Sequence, residues 1–113
     1  MSEVTVKEVE IKGSGWRFSI EEDGMEVGRA RLYAIQNDIH EGPFGYVEDV
    51  HVEEAYRGRG LSKKLMEKLL EKARELGFYK VILHTESDNF RAQSLYTKSL
   101  GFYVVGPTLR LDL

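Results

Sequence analysis

The chain has 113 residues, 42% of them hydrophobic and 31% charged, with no cysteine. That length is one domain, residues 1–113, and the balance of apolar and charged residues excludes both a disordered and a collagen-like chain. No apolar run approaches the ~18 residues of a membrane span, and Met1-Ser2-Glu3-Val4 is not the start of a signal peptide, so a cytoplasmic protein is expected. The net charge of −3 divides unevenly: residues 1–56 carry five basic and thirteen acidic side chains, residues 57–113 eleven basic and six acidic. The basic half is too sparse for a nucleic-acid footprint, which needs a clustered stripe.

In chain order, Val4 to Ile11 alternates imperfectly and reads as a strand, followed by the short connection Gly13-Ser14-Gly15. Trp16, Phe18 and Ile20 alternate with Arg17, Ser19 and Glu21 as a half-buried strand does. Asp23-Gly24 is a hairpin turn signal, with Val27 to Ile35 as the returning strand. Gln36 to Gly45 is a loop, and Tyr46 to Val52 is a strand with Glu48 and Asp49 in its middle. Leu61, Leu65, Met66, Leu69, Leu70, Ala73 and Leu76 form the apolar face of a helix that Gly77 ends. Phe78 to Thr85 is a strand around the continuous apolar run Val81-Ile82-Leu83. Asp88 or Asn89 caps a second helix closed by Gly101, and Tyr103-Val104-Val105 and Thr108 to Leu113 read as two last strands. The expected fold is α/β (α+β): a mixed, mostly antiparallel central sheet of about seven strands with two main helices.

The sharpest segment is Tyr56-Arg57-Gly58-Arg59-Gly60-Leu61-Ser62, between a strand and a helix. Glycines let backbone approach a ligand, and the first helical turn leaves amides without partners, so this loop suits phosphate. An ordinary glycine-rich turn capped by Ser62 accounts for the same residues. The Gly-Lys-Ser/Thr ending of a nucleotide P-loop is missing.

Arg57, Gly60 and Ser62 fall on the Arg/Gln-x-x-Gly-x-Gly/Ala motif of the GNAT acyltransferases, with Ser62 where Gly or Ala is usual. Asn89-Phe90-Arg91-Ala92 followed by Tyr96 and Gly101-Phe102 resembles the second motif of that family. The chain resembles a short GNAT member from about Tyr46 to Phe102, lacking the usual helices between the first two strands. The resemblance implies an N-acetyltransferase moving an acetyl group from acetyl-CoA directly to an amine, either a small molecule such as a polyamine or a protein or peptide amine. It implies that the amides of Gly58, Arg59, Gly60, Leu61 and Ser62, after Arg57, cradle the CoA pyrophosphate. It further implies that the backbone of Val50, His51 and Val52 runs along the pantetheine and that Asn89 bonds the cofactor arm. Tyr96 would be the general acid for the leaving thiolate.

Glu48 is the leading base, against the reading that it pairs with Arg29 or Arg31. Asp49, His51 and His84 are alternatives, and a core position would also account for Tyr96. His40 with Asp38 and Glu41 is the weak metal candidate, and no metal is expected. A rival reading is a non-catalytic CoA-binding or protein-interaction module that has lost its acceptor site. A homodimer through a strand edge or helix face suits so short a chain.

Overall fold

The computed structural model describes residues 6–8, 10 and 13–113. Half of the strand expected over Val4 to Ile11 therefore lies outside the described residues. Strands β1 (Ser14–Glu22) and β2 (Met25–Ile35) form an antiparallel hairpin in which Trp16 faces Leu32 and Phe18 faces Ala30. The turn puts Asp23 at φ 53° and Gly24 at φ 78°, the left-handed pair that matches the twist of two-residue hairpins. Strand β3 (Phe44–Val52) pairs antiparallel with β2, and a 3₁₀ turn over Glu54–Tyr56 leads to α1 (Leu61–Glu75). Strand β4 (Val81–Leu83) returns parallel to β3. Helix α2 (Phe90–Ser94) then runs into a π-helical turn over Leu95–Ser99.

The sheet order is β1-β2-β3-β4, and α1 lies on one face as the crossover between β3 and β4. Leu65, Met66, Leu69, Leu70 and Ala73 of α1 pack on Ala30, Leu32, Val47 and Val52, with Trp16, Phe18 and Ile20 closing the β1 side. The opposite face of the hairpin carries polar pairs instead: Arg17 bonds Glu26, and Arg29 bonds Asp49.

Four strands are present among the described residues, not seven. The strand expected over Phe78 to Thr85 contracts to three residues. Phe78 tucks against Trp16 (ring centroids 6.4 Å apart), and pairing with β3 stops at Val47–Leu83. Tyr103–Val105 and Thr108–Leu113 are exposed and pair with no strand among the described residues. Alternation reports that a segment suits a sheet; it does not supply the neighbouring chain whose N–H and C=O groups a strand requires.

Candidate active site

The bulge in β3 is the origin of the site. Arg29 pairs with His51 and Arg31 with Glu48, so one residue of β2 faces both Asp49 and Val50. Asp49 takes φ 54°, a conformation that Asp tolerates better than most residues. Its carboxylate receives Arg29 Nε at 2.7 Å and also bonds the Arg31 guanidinium. The Arg29 hydrogen bond, aided by the charges of both arginines, holds its carboxyl below the ordinary carboxylate range. The arginine partner is thus Asp49, not Glu48. Among the described residues Glu48 forms no ion pair; it is exposed into the cleft between β3 and β4.

A lowered folded-state pKa stabilises above the unfolded value of about 3.9 and loses that contribution as pH falls through the folded one. Because these groups are partly exposed, Asp49→Asn is expected to cost under about 1 kcal/mol near neutrality. Asn tolerates the same backbone conformation, so the difference from wild type should shrink below about pH 4 in urea melts followed by circular dichroism.

Beyond Val47–Leu83 the two parallel strands part, leaving a cleft of about 820 Å³. The loop at its head is built by left-handed glycines, Gly58 at φ 82° and Gly60 at φ 74°. Gly60, not Ser62, occupies the N-cap, without a side-chain bond. Arg57 N bonds Glu54 O, and the next backbone donor is Lys64 N to Gly60 O. The amides of Gly58 through Lys63 therefore donate to no backbone carbonyl among the described residues, at the end of α1 where the helix dipole is positive. Arg57 donates its Nε to Val52 O at 2.9 Å, tying the loop to the end of β3.

Glu48, Val50, His51, Val52, Arg57, Gly58, Gly60, Leu61, Ser62, Asn89 and Tyr96 all line this one cleft. Arg59 does not: between its two glycines it turns outward, bonds Glu22 at 2.9 Å and lies over the Tyr56 ring. Asn89 caps α2 by accepting Ala92 N on its Oδ1 at 3.1 Å, which leaves its amide nitrogen for another partner. Tyr96 sits in the π-helical turn, 7% exposed, its ring edge-on to Phe102 at 5.8 Å; burial pushes its phenol up. Of the alternative bases, His51 faces Glu53 at 3.5 Å, and His84 lines the cleft between Glu86 at 3.5 Å and Thr108 Oγ1 at 3.0 Å. His40 lies against the Tyr79 ring. Sequence reasoning missed Tyr46, Thr85, Glu86 and Arg91 as lining residues. Arg91 stands inside the second motif and was legible there; the others depend on where β3 and β4 part.

A mixed sheet whose parallel strands part beside a glycine-rich helix start defines a class, and comparison with known proteins agrees with it. The model of the Acetyltransferase (GNAT) family matches residues 6–102, and the chain belongs to that family. It is 40% identical over 92 residues to a glucosamine 6-phosphate N-acetyltransferase of Trypanosoma brucei brucei, covering 80% of this chain and 59% of the relative. The chain thus spans about three fifths of that relative. A solved Trypanosoma brucei acetyltransferase superposes with a TM-score of 0.76 at 37% identity, over 88% of this chain and 68% of the other. The solved glucosamine-6-phosphate N-acetyltransferase of Arabidopsis thaliana gives 0.73 at 26% identity, over 87% and 67%. No helix among the described residues is long and apolar enough to cross a membrane.

Proposed function

We propose that this chain is an N-acetyltransferase that moves an acetyl group from acetyl-CoA directly to an amine. Glucosamine 6-phosphate is the first acceptor to test, because the trypanosomal relative carries that name. The observation that carries the reading is the convergence of free α1 amides, an unpaired β3 edge, a carboxylate and a buried phenol on one cleft.

The residues present fit the donor. The amides of Gly58 through Lys63 suit a pyrophosphate, and β3 beyond Val47 offers the backbone partners that β4 no longer occupies, which suits the amides of a pantetheine arm. The Asn89 amide nitrogen is free to bond that arm. When bound, acetyl-CoA supplies the thioester whose C–S bond breaks as the new C–N bond forms.

The chain's own groups manage the protons. The ammonium form of an acceptor must lose a proton before it attacks, and Glu48 takes it directly or through water. Asp49 is the poorer base, since two guanidiniums stabilise its ionised form. Tyr96 keeps its proton because burial disfavours the phenolate, and that proton goes to the departing sulfur.

Protein, acetyl-CoA and a panel of glucosamine 6-phosphate, polyamines and peptide amines should release free thiol with at least one acceptor. Saturating CoA should raise the melting temperature, since a ligand at ~100 times its dissociation constant adds ~2.7 kcal/mol. Stabilisation without turnover would assign the non-catalytic CoA-binding module instead; the absence of both would overturn the site.

A further inference from the structure

The β1–β2 hairpin carries a second concavity that the donor does not use. It is a shallow groove of about 210 Å³ lined by Gly15, Trp16, Arg17, Arg31 and Tyr33. Gly15 keeps it open, since a Cβ there would lie 2.9 Å from the Tyr33 ring. Strand register joins the groove to the cleft. Arg31 is the partner of Glu48, and Tyr33 of Tyr46; the first of each pair lines the groove and the second lines the cleft. Side chains paired in this way share a face, so Arg17, Arg31 and Glu48 form one row across β1, β2 and β3.

Charge along that row is not balanced by the pairs around it. Like charges directly opposite each other on neighbouring strands repel, and Arg17 stands opposite Arg31. Arg17 is matched by Glu26, but Arg29 and Arg31 share the single carboxylate of Asp49. Arg31 reaches Asp49 through Nη1, and among the described residues its Nε and Nη2 bond nothing. The cluster of Arg17, Arg29, Arg31, Glu26 and Asp49 thus holds one positive charge in excess, one strand away from Glu48.

We propose that this groove is an anion subsite for the acceptor: the amine meets Glu48 while a phosphate or carboxylate of the same small molecule seats on Arg31 and Arg17. The inference rests on the amine-acetylating reading above and narrows its acceptors. Strands stand about 4.8 Å apart, so the row places the amine and the anion about 5–10 Å from each other. Guanidinium donors bind such oxyanions through short, charge-assisted hydrogen bonds. A polyamine would instead set its second ammonium against Arg31, where like charge repels it.

Trp16 is the single tryptophan of the chain and lines the groove, so its fluorescence reads occupancy independently of turnover. With the protein saturated in CoA, glucosamine 6-phosphate or γ-aminobutyrate should change that signal saturably, and the arm that responds identifies the anion as phosphate or carboxylate. Glucosamine and spermidine should leave it unchanged. Arg31→Gln should weaken the binding at least about 10-fold, as expected for hydrogen bonds between charged groups, and Arg31→Lys should restore part of it. Asp49→Asn removes the carboxylate that Arg31 shares and should tighten the binding. A merely structural cluster would lose binding in both Arg31→Gln and Asp49→Asn; that result, or an equal response to glucosamine, overturns the proposal. Should Arg31→Gln fail to fold by circular dichroism, Arg17→Gln at the more exposed position carries the same expectation. Thiol release tests the acetyl-transfer reading separately. Turnover that does not discriminate glucosamine 6-phosphate or γ-aminobutyrate from their uncharged or cationic counterparts removes the subsite alone, whereas an anion-specific Trp16 signal without any turnover removes the transfer reading and keeps the subsite.

Discussion

Tyr96→Phe is expected to lower kcat by roughly 100-fold while leaving the KM for acetyl-CoA near its original value, the signature of a lost proton donor. The fold should tolerate the change. The Tyr96 ring, packed on Phe102, is retained, and the Tyr96 carbonyl still receives Phe102 N at 2.9 Å. A melting temperature that falls in step with activity would instead identify Tyr96 as a core aromatic alone, and unchanged kcat would remove it as the acid.

The pH dependence supplies a separate readout. Burial raises the folded-state phenol pKa above its ordinary value of about 10. Between those two values the unfolded chain sheds a proton that the folded chain keeps. The stabilising contribution is therefore complete below about pH 10 and lost as pH rises through the folded value. Urea midpoints at about pH 9 and about pH 11 should fall further for wild type than for Tyr96→Phe. The alkaline limb of kcat should likewise sit above the ordinary phenol range.

Leu69→Ala is expected to have the largest effect on stability. Leu69 is fully buried on α1, against a sheet face that includes Ala30 and Leu32. Truncating such a leucine costs about 2–5 kcal/mol, the transfer term plus a cavity that a rigid sheet fills only partly. Against a total of about 5–15 kcal/mol that is a large fraction, and a domain of this size should lose roughly 10–20 °C in Tm. Leu76 belongs to the same helical stripe but lies just past α1, 38% exposed, so Leu76→Ala should cost under about 1 kcal/mol. Equal losses at the two positions, measured by denaturant titration, would contradict the packing described.

Much of the candidate site is legible in the sequence. Glycine spacing ahead of a helix, an asparagine at the second cap and a tyrosine seven residues on are local patterns, and the structure brings them to one cleft. The sequence resolved less well which of two adjacent carboxylates is free. Strict alternation assigns Glu48 and Asp49 to opposite faces, whereas with the bulge both line the cleft and only Asp49 is held by Arg29 and Arg31. The course of the Arg59 side chain was illegible for a similar reason: its outward turn depends on the conformation of both flanking glycines and on Glu22, thirty-seven residues earlier, while its backbone amide stays among the free donors of the loop.

By itself the sequence determined the helices α1 and α2, the strands β1 to β3, the apolar faces of α1 and of the β1–β2 hairpin, and the family motifs. These depend on residues a few positions apart, whose spacing is set by helix and strand geometry. It also located the charge boundary at Arg57, where the glycine-rich loop begins. Only the tertiary structure decided that β3 and β4 part after Val47–Leu83, that Asp49 is clamped while Glu48 is not, and that the alternating C-terminal segment pairs with no strand among the described residues. Each of those outcomes rests on the backbone and side-chain groups of segments distant in sequence, and local periodicity carries no information about which of them meet.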